Sequence, residues 1–132
     1  MSYLLDTNVC VGVLRGNARV CRRLEETSPS DCAISAVTAF ELRTGAKRCS
    51  QPERELKKLE KFWRIVAVLP FDEDSAEEAA RVRHELESNG ETIGPYDLLI
   101  AGHALGAGRE LVTNNTREFA RVGSLKLVDW RS

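Results

Sequence analysis

The chain has 132 residues, 42% of them apolar and 30% charged, with a formal net charge of −1. That length matches one domain with one core, and the composition excludes a disordered, collagen-like or low-complexity protein. No apolar run reaches the ~18–20 residues of a membrane span, and the opening residues carry no basic lead into an apolar stretch. The expectation is a single domain over residues 1–132, cytoplasmic and without membrane attachment.

The cysteines Cys10, Cys21, Cys32 and Cys49 form no C-x-x-C pair and have neither His84 nor His103 at zinc-ligand spacing. Reduced, mostly buried thiols are expected. Residues 1–66 hold 12 Lys/Arg against 8 Asp/Glu, whereas residues 67–132 hold 7 against 12. Such asymmetry either sets a basic surface beside an acidic site or reflects no more than solvated faces.

In chain order, Tyr3-Leu4-Leu5 reads as a short strand ending at the helix-starting residues Asp6-Thr7-Asn8. A helix over about 8–15 and a second to about 26 follow, separated by Gly16-Asn17. Cys32-Ala33-Ile34 predicts a second strand, and Ser35 caps a helix carrying Val37, Phe40 and Glu41, with Gly45 weakening its end. Ser50-Gln51-Pro52-Glu53 reads as a capping box ahead of a helix with Leu56, Leu59, Phe62 and Trp63 at helical spacing. Residues 65–70 predict a buried strand. Asp74-Ser75-Ala76-Glu77 predicts another capped helix, ending at Asn89-Gly90. Pro95 opens an almost wholly small and apolar helix to about Leu105, which must be covered on most sides. Leu111-Val112-Thr113, a short helix near 116–122 and the strand 125–128 complete the chain. Alternation with apolar strands predicts an α/β fold: a three-layer α/β/α sandwich around a parallel sheet of four or five strands.

Open parallel sheets bind ligands beyond the carboxyl ends of their strands. Three acids are predicted there: Asp6 after the first strand, Glu41 near the apolar face of the third helix, and Asp97 in the first turn of the apolar helix. Each also has a plain structural reading. Asp6 and Asp97 can cap their helices, and Glu41 can reach the rim or pair with Arg43 or Lys47. Taken together, clustered carboxylates repel one another and call for cations, and hard oxygen ligands select Mg²⁺ or Mn²⁺. Such a site suits metal-assisted phosphodiester hydrolysis. No G-x-S-x-G, P-loop or G-x-G-x-x-G motif offers other chemistry.

Leu4-Leu5-Asp6-Thr7-Asn8 resembles the opening of PIN-domain ribonucleases. Residues 35–42, Gly45-Ala46, Gly94 to Ala101 and Leu111 to Phe119 resemble later blocks of that family, in order over almost the whole chain, and follow the VapC toxin pattern of VapBC toxin–antitoxin pairs. The resemblance implies a PIN-like fold and a Mg²⁺- or Mn²⁺-dependent endoribonuclease, with tRNA one expected substrate class. It also implies a homodimer silenced by a VapB-type antitoxin, which alone contacts operator DNA. By motif, Asp6, Glu41 and Asp97 match the family's acids, with Asp6 and Asp97 as the direct metal ligands. Many relatives place a fourth acid where this chain has Asn115, which joins the candidate site as an amide. Glu118 is the nearest substitute carboxylate, though an ordinary solvated helix residue is the favoured reading. Thr113 either hydrogen-bonds an acid of the cluster or is an ordinary strand residue, and Thr7 and Asn8 flank Asp6.

Arg15, Arg19, Arg22 and Arg23, with Arg43 and Lys47, follow three- and four-residue spacing and either neutralise RNA phosphates or form a solvated face. His84 and His103 are expected to be structural, and Trp63 and Trp130 to be anchors of a core or an interface. Two rival functions remain open: a PIN-fold binding module with weakened activity, and an Asp6-phosphorylating phosphatase or receiver-like domain. Against the latter, Asn8 stands where a dehalogenase-like phosphatase needs a second Asp.

Overall fold

A computed structural model describes residues 1–131; Ser132, the end of the expected domain, lies outside the described residues. Five parallel strands, β1 (Tyr3–Leu5), β2 (Cys32–Ser35), β3 (Ala67–Leu69), β4 (Glu110–Val112) and β5 (Leu127–Val128), form one sheet in the order β3-β2-β1-β4-β5. The helices are α1 (Thr7–Leu14), α2 (Ala18–Glu26), α3 (Ala36–Arg48), α4 (Pro52–Ile65), α5 (Glu73–Ser88), α6 (Pro95–Gly106) and α7 (Thr116–Phe119). This is the expected α/β/α sandwich.

Strand side chains alternate between the two faces. Leu5, Ile34 and Val112 join Val9, Val20, Leu42, Leu59, Phe62 and Trp130 on one side, under α1–α4. Leu4, Ala33 and Leu111 face Val82, Leu86, Ile100, Ala101 and Ala104 on the other, under α5 and α6. Residue Gly102 allows α6 to press onto α5, since a Cβ added there would lie 2.5 Å from Ala79 Cβ and 2.6 Å from its Cα. This contact explains why the α6 sequence is so rich in small residues.

The winding reverses between β1 and β4: β2 and β3 extend the sheet from one side of β1, β4 and β5 from the other. That reversal opens a crevice at the carboxyl ends of β1 and β4. Asp6 and Thr113 sit immediately past those ends, and the Asp6 N–H donates to Val112 O at 2.9 Å.

Several expectations change in detail. The run 65–70 is not a buried strand. Ile65 ends α4, Val66 is buried at its C-cap, and β3 is the sheet edge, with Ala67 and Val68 exposed. An edge strand has a neighbour on one side only, so an apolar run does not guarantee cover. α4 starts from Gln51 with no side-chain cap, Pro52 supplying the first turn in place of a Ser50 box. α5 starts two residues earlier than expected, because Asp72 rather than Asp74 accepts the Ser75 N–H at 2.9 Å. The last strand shortens to Leu127–Val128 while Leu125 turns into the core. All four cysteines are free, Cys10 and Cys32 buried and Cys21 and Cys49 partly so.

Candidate active site

Asp6 is 2% exposed, yet its carboxylate is fully engaged. As the N-cap of α1 it accepts the Thr7 N–H on Oδ1 at 2.7 Å, and the Thr113 hydroxyl donates to Oδ2 at 2.8 Å. Capping and cluster membership, rivals in the sequence, are thus one arrangement. Burial pushes the Asp6 carboxyl up, the Thr113 and Thr7 hydrogen bonds pull it down, and the charge of Glu118 pushes it up again.

Glu41 lies one and a half turns into α3 and does not pair with Arg43, whose guanidinium stacks on Trp63 at 5.6 Å. Its Oε1 is buried and has no hydrogen-bond partner. Burial raises the Glu41 carboxyl, the charge of Asp6 raises it further, and the Thr7 hydroxyl opposes both. Thr7 Oγ1 in turn bonds Thr38 Oγ1 at 3.1 Å, so α1 and α3 are joined at the site.

Asp97 occupies the first turn of α6 and is pushed up to about 7. Burial is the largest cause, followed by the charges of Glu118 and Asp6, a side-chain hydrogen bond with Glu118, and the charge of Glu41. Four carboxyl groups from α1, α3, α6 and α7 therefore feel one another. The expected convergence of Asp6, Glu41 and Asp97 is present.

Glu118 is the departure. It is not a solvated helix residue: Gly94 N–H donates to its Oε1 at 3.0 Å, and Asn115 Nδ2 donates to Oε2. Asn115, whose own N–H bonds Thr113 Oγ1 at 3.0 Å, acts here as the holder of Glu118. A Cβ placed on Gly94 would stand 3.2 Å from Asp97 Oδ2 and 3.9 Å from Glu118 Oε1, so the bare glycine leaves both acids room. The sequence signal for this role was available: Glu118 follows Asn115 by three residues, one helical turn, and so shares its face.

Of the supporting residues, Thr7 and Thr113 join the cluster, while Asn8 is exposed on α1. Arg15 lines a cleft of about 480 Å³ together with Thr7, Glu41, Lys58 and an apolar floor that includes Val11, Leu42 and Leu59. Arg19, Arg22 and Arg23 border a separate cavity beside Trp130 and Arg131, and Arg43 and Lys47 are exposed on α3. The basic residues therefore do not form one continuous flank to the acids. Phe40 is 51% exposed and meets Tyr96, 47% exposed, edge to face at 5.5 Å. These two rings precede Glu41 and Asp97 in sequence and stand at the rim. Trp130 is buried in the core as expected, and His103 is buried too, whereas His84 is exposed on α5.

The donor set is all hard oxygen, with a buried unpartnered carboxylate oxygen on Glu41, and so fits a divalent cation by chemistry. Among the described residues, no three His, Cys, Asp or Glu side chains are already drawn together tightly enough to grip one ion.

The PIN domain family model matches residues 3–125. The tRNA(fMet)-specific endonuclease VapC of Shigella flexneri is 39% identical over 130 residues, covering 98% of each chain. Ribonuclease VapC2 of Haemophilus influenzae is 34% identical over 131 residues, again at 98% of each. Among solved structures, DNA-bound VapBC from Salmonella typhimurium superposes with a TM-score of 0.94 at 37% identity, covering 98% of both chains. VapBC2 from Rickettsia felis, bound to a DNA fragment from its promoter, gives 0.92 at 34%, covering 98% and 99%. With near-complete coverage by sequence and by fold, and the acid cluster in the crevice where the sheet reverses, the chain belongs to the PIN-domain family and, within it, to the VapC toxins.

Proposed function

We propose that this protein is the toxin of a VapBC pair, an endoribonuclease that uses Mg²⁺ or Mn²⁺ to hydrolyse RNA, with tRNA as the substrate class. The observation that carries the reading is the electrostatically coupled set Asp6, Glu41, Asp97 and Glu118, which holds Asp97 at about 7. A cluster that makes its own carboxyl groups hard to ionise is poised for a divalent cation. The RNA substrate is supported by the Shigella and Haemophilus relatives, whose names carry tRNA(fMet)-specific endonuclease and ribonuclease.

Asp6 and Asp97 would hold the cation, with Glu41 and Glu118 beside them. When bound, such an ion activates water for in-line attack on phosphorus and stabilises the leaving oxygen, giving 3′-hydroxyl and 5′-phosphate ends. The chain's own groups prepare this. Thr113 and the Thr7 N–H orient the Asp6 carboxylate. Asn115 and the Gly94 N–H orient Glu118 toward Asp97. Asp97, half protonated near neutrality, releases a proton as the cluster is neutralised. The rival phosphoacceptor role lacks its second acid, since Asn8, two residues after Asp6, is an amide exposed on α1.

The relatives' VapBC complexes, both bound to DNA, support a VapB-type antitoxin as partner, through which this chain would meet operator DNA. The apolar-floored cleft leading to Glu41 would receive a segment of that antitoxin. A homodimer completes the proposed assembly.

The test is cleavage of tRNA by the purified, antitoxin-free protein. Activity should vanish in EDTA, return with Mn²⁺ or Mg²⁺, and fall at least ~100-fold in Asp6→Asn and Asp97→Asn. Undiminished cleavage by both variants rejects the assignment.

A further inference from the structure

One buried polar pair is unused by this chemistry. His103 lies two turns down α6 and is 2% exposed; its Nδ1 is 2.7 Å from the hydroxyl of Ser35, which is 0% exposed. Ser35 ends β2 and is the N-cap of α3, its Oγ accepting the Val37 N–H at 3.0 Å. With the oxygen already accepting, the hydroxyl hydrogen is free to point at His103. A hydroxyl that donates to Nδ1 puts the ring proton of the neutral imidazole on Nε2, and this is the tautomer that the arrangement proposed below requires. The surroundings agree. Burial holds the imidazole below its usual value, Asp72 opposes this and Arg109 adds to it, and the Phe71 ring meets it edge-on at 5.7 Å.

The position of the pair gives it a consequence. Asp97 is six residues before His103 on α6, and Glu41 is six residues after Ser35 on α3. Each acid is thus about 9 Å along its helix from the same hydrogen bond. α3 and α6 carry carboxylates that repel, so something must fix their separation against that force. A buried hydrogen bond is directional where apolar packing is not, and so specifies one register.

We propose that Ser35 and His103 form a positioning lock that sets the α3–α6 register, and with it the placement of Glu41 relative to Asp97, for the nuclease chemistry proposed above. Neither residue touches substrate. The lock acts through the two helices.

The test uses the full-length protein, tRNA as substrate and Mn²⁺. His103→Ala removes the acceptor, whereas His103→Asn keeps an acceptor oxygen near the place of Nδ1. The Ala variant should lose ~10- to 100-fold in kcat with KM within about twofold, the scale of a misplaced reacting group. The Asn variant should recover most of that loss. Without reference to activity, amide resonances of residues 40–42 and 96–98 should shift in the Ala variant and return in the Asn variant. Imidazole ¹⁵N shifts of the parent should report protonated Nε2 and bare Nδ1 near neutral pH. The proposal is overturned by a folded Ala variant with parental kcat, by resonance changes confined to the neighbours of residue 103, or by a protonated Nδ1 in the parent. If the Ala variant does not fold, the tautomer measurement and the Asn variant's kcat decide. A parent protein that cleaves no RNA would defeat the nuclease reading alone, because the resonance and tautomer measurements still judge the lock.

Discussion

Replacing Asp97 by Asn should make the metal-free protein more stable, although it removes a residue of the active site. The folded state holds the Asp97 carboxyl at about 7, against 3.8 for an ordinary aspartate. Folding therefore favours the protonated form: the contribution supports the fold below pH ~4 and is lost as pH rises through about 7. In a dry site the difference would correspond to about 4 kcal/mol against the charged form at alkaline pH. Asp97 is only partly buried and shares its proton with Glu118, and solvent screening reduces the figure to about 2 kcal/mol. Asn is nearly isosteric, removes that charge and can donate to Glu118. For 132 residues, about 2 kcal/mol corresponds to a rise in Tm of roughly 7 °C. The assay is thermal unfolding in EDTA at a series of pH values. The Tm gap between Asp97→Asn and the parent should be full at pH 8, narrow on acidification and close near pH 4. A variant that melts with or below the parent at pH 8 would refute the coupled-acid account.

Thr113→Val removes the donor to Asp6 Oδ2 and leaves a buried carboxylate oxygen bare. A loss of about 1–3 kcal/mol is expected as a lower urea midpoint with unchanged m-value, and an unchanged midpoint would show that the bond contributes nothing net. Glu118→Ala should reduce tRNA cleavage at least ~10-fold in steady-state assays, since it leaves Gly94 N–H and Asn115 without their partner. Parental cleavage rates in that variant would return Glu118 to the status of a bystander. Gly102→Ala forces a methyl against the backbone of Ala79, and destabilisation of about 3 kcal/mol is expected by chemical denaturation. A loss below ~1 kcal/mol would mean that α5 and α6 separate easily.

The order of elements and the parallel sheet were legible because they rest on periodicity and punctuation. Apolar strands such as Cys32-Ala33-Ile34 alternate with helices that Ser35 and Pro95 open where expected. Boundaries read from a single capping residue were less secure. Asp72 and Asp74 are chemically equivalent starts, and the structure takes the first, whose carboxylate accepts both the N–H and the hydroxyl of Ser75. The run 65–70 misled because hydropathy records what a residue tolerates, not whether a neighbour arrives to cover it.

At the site, residue type and spacing determined that Asp6, Glu41 and Asp97 would lie near one sheet end, because Asp6 and Asp97 stand at the starts of α1 and α6 and Glu41 lies in the second turn of α3, helices whose places follow from winding. Which remaining groups turn toward them was decided by tertiary structure. Glu118 was written in the chain as a carboxylate on a short helix, equally suited to water. It joins the acids because the Gly94 N–H and Asn115, 24 and 3 residues away, arrive to bind it. Arg15 and Arg19 share a spacing, yet they border different cavities once α1 and α2 are separately packed. Local sequence specifies what a short segment does with its own backbone. The company a side chain keeps depends on contacts between distant segments, and these exist only after the sheet has assembled.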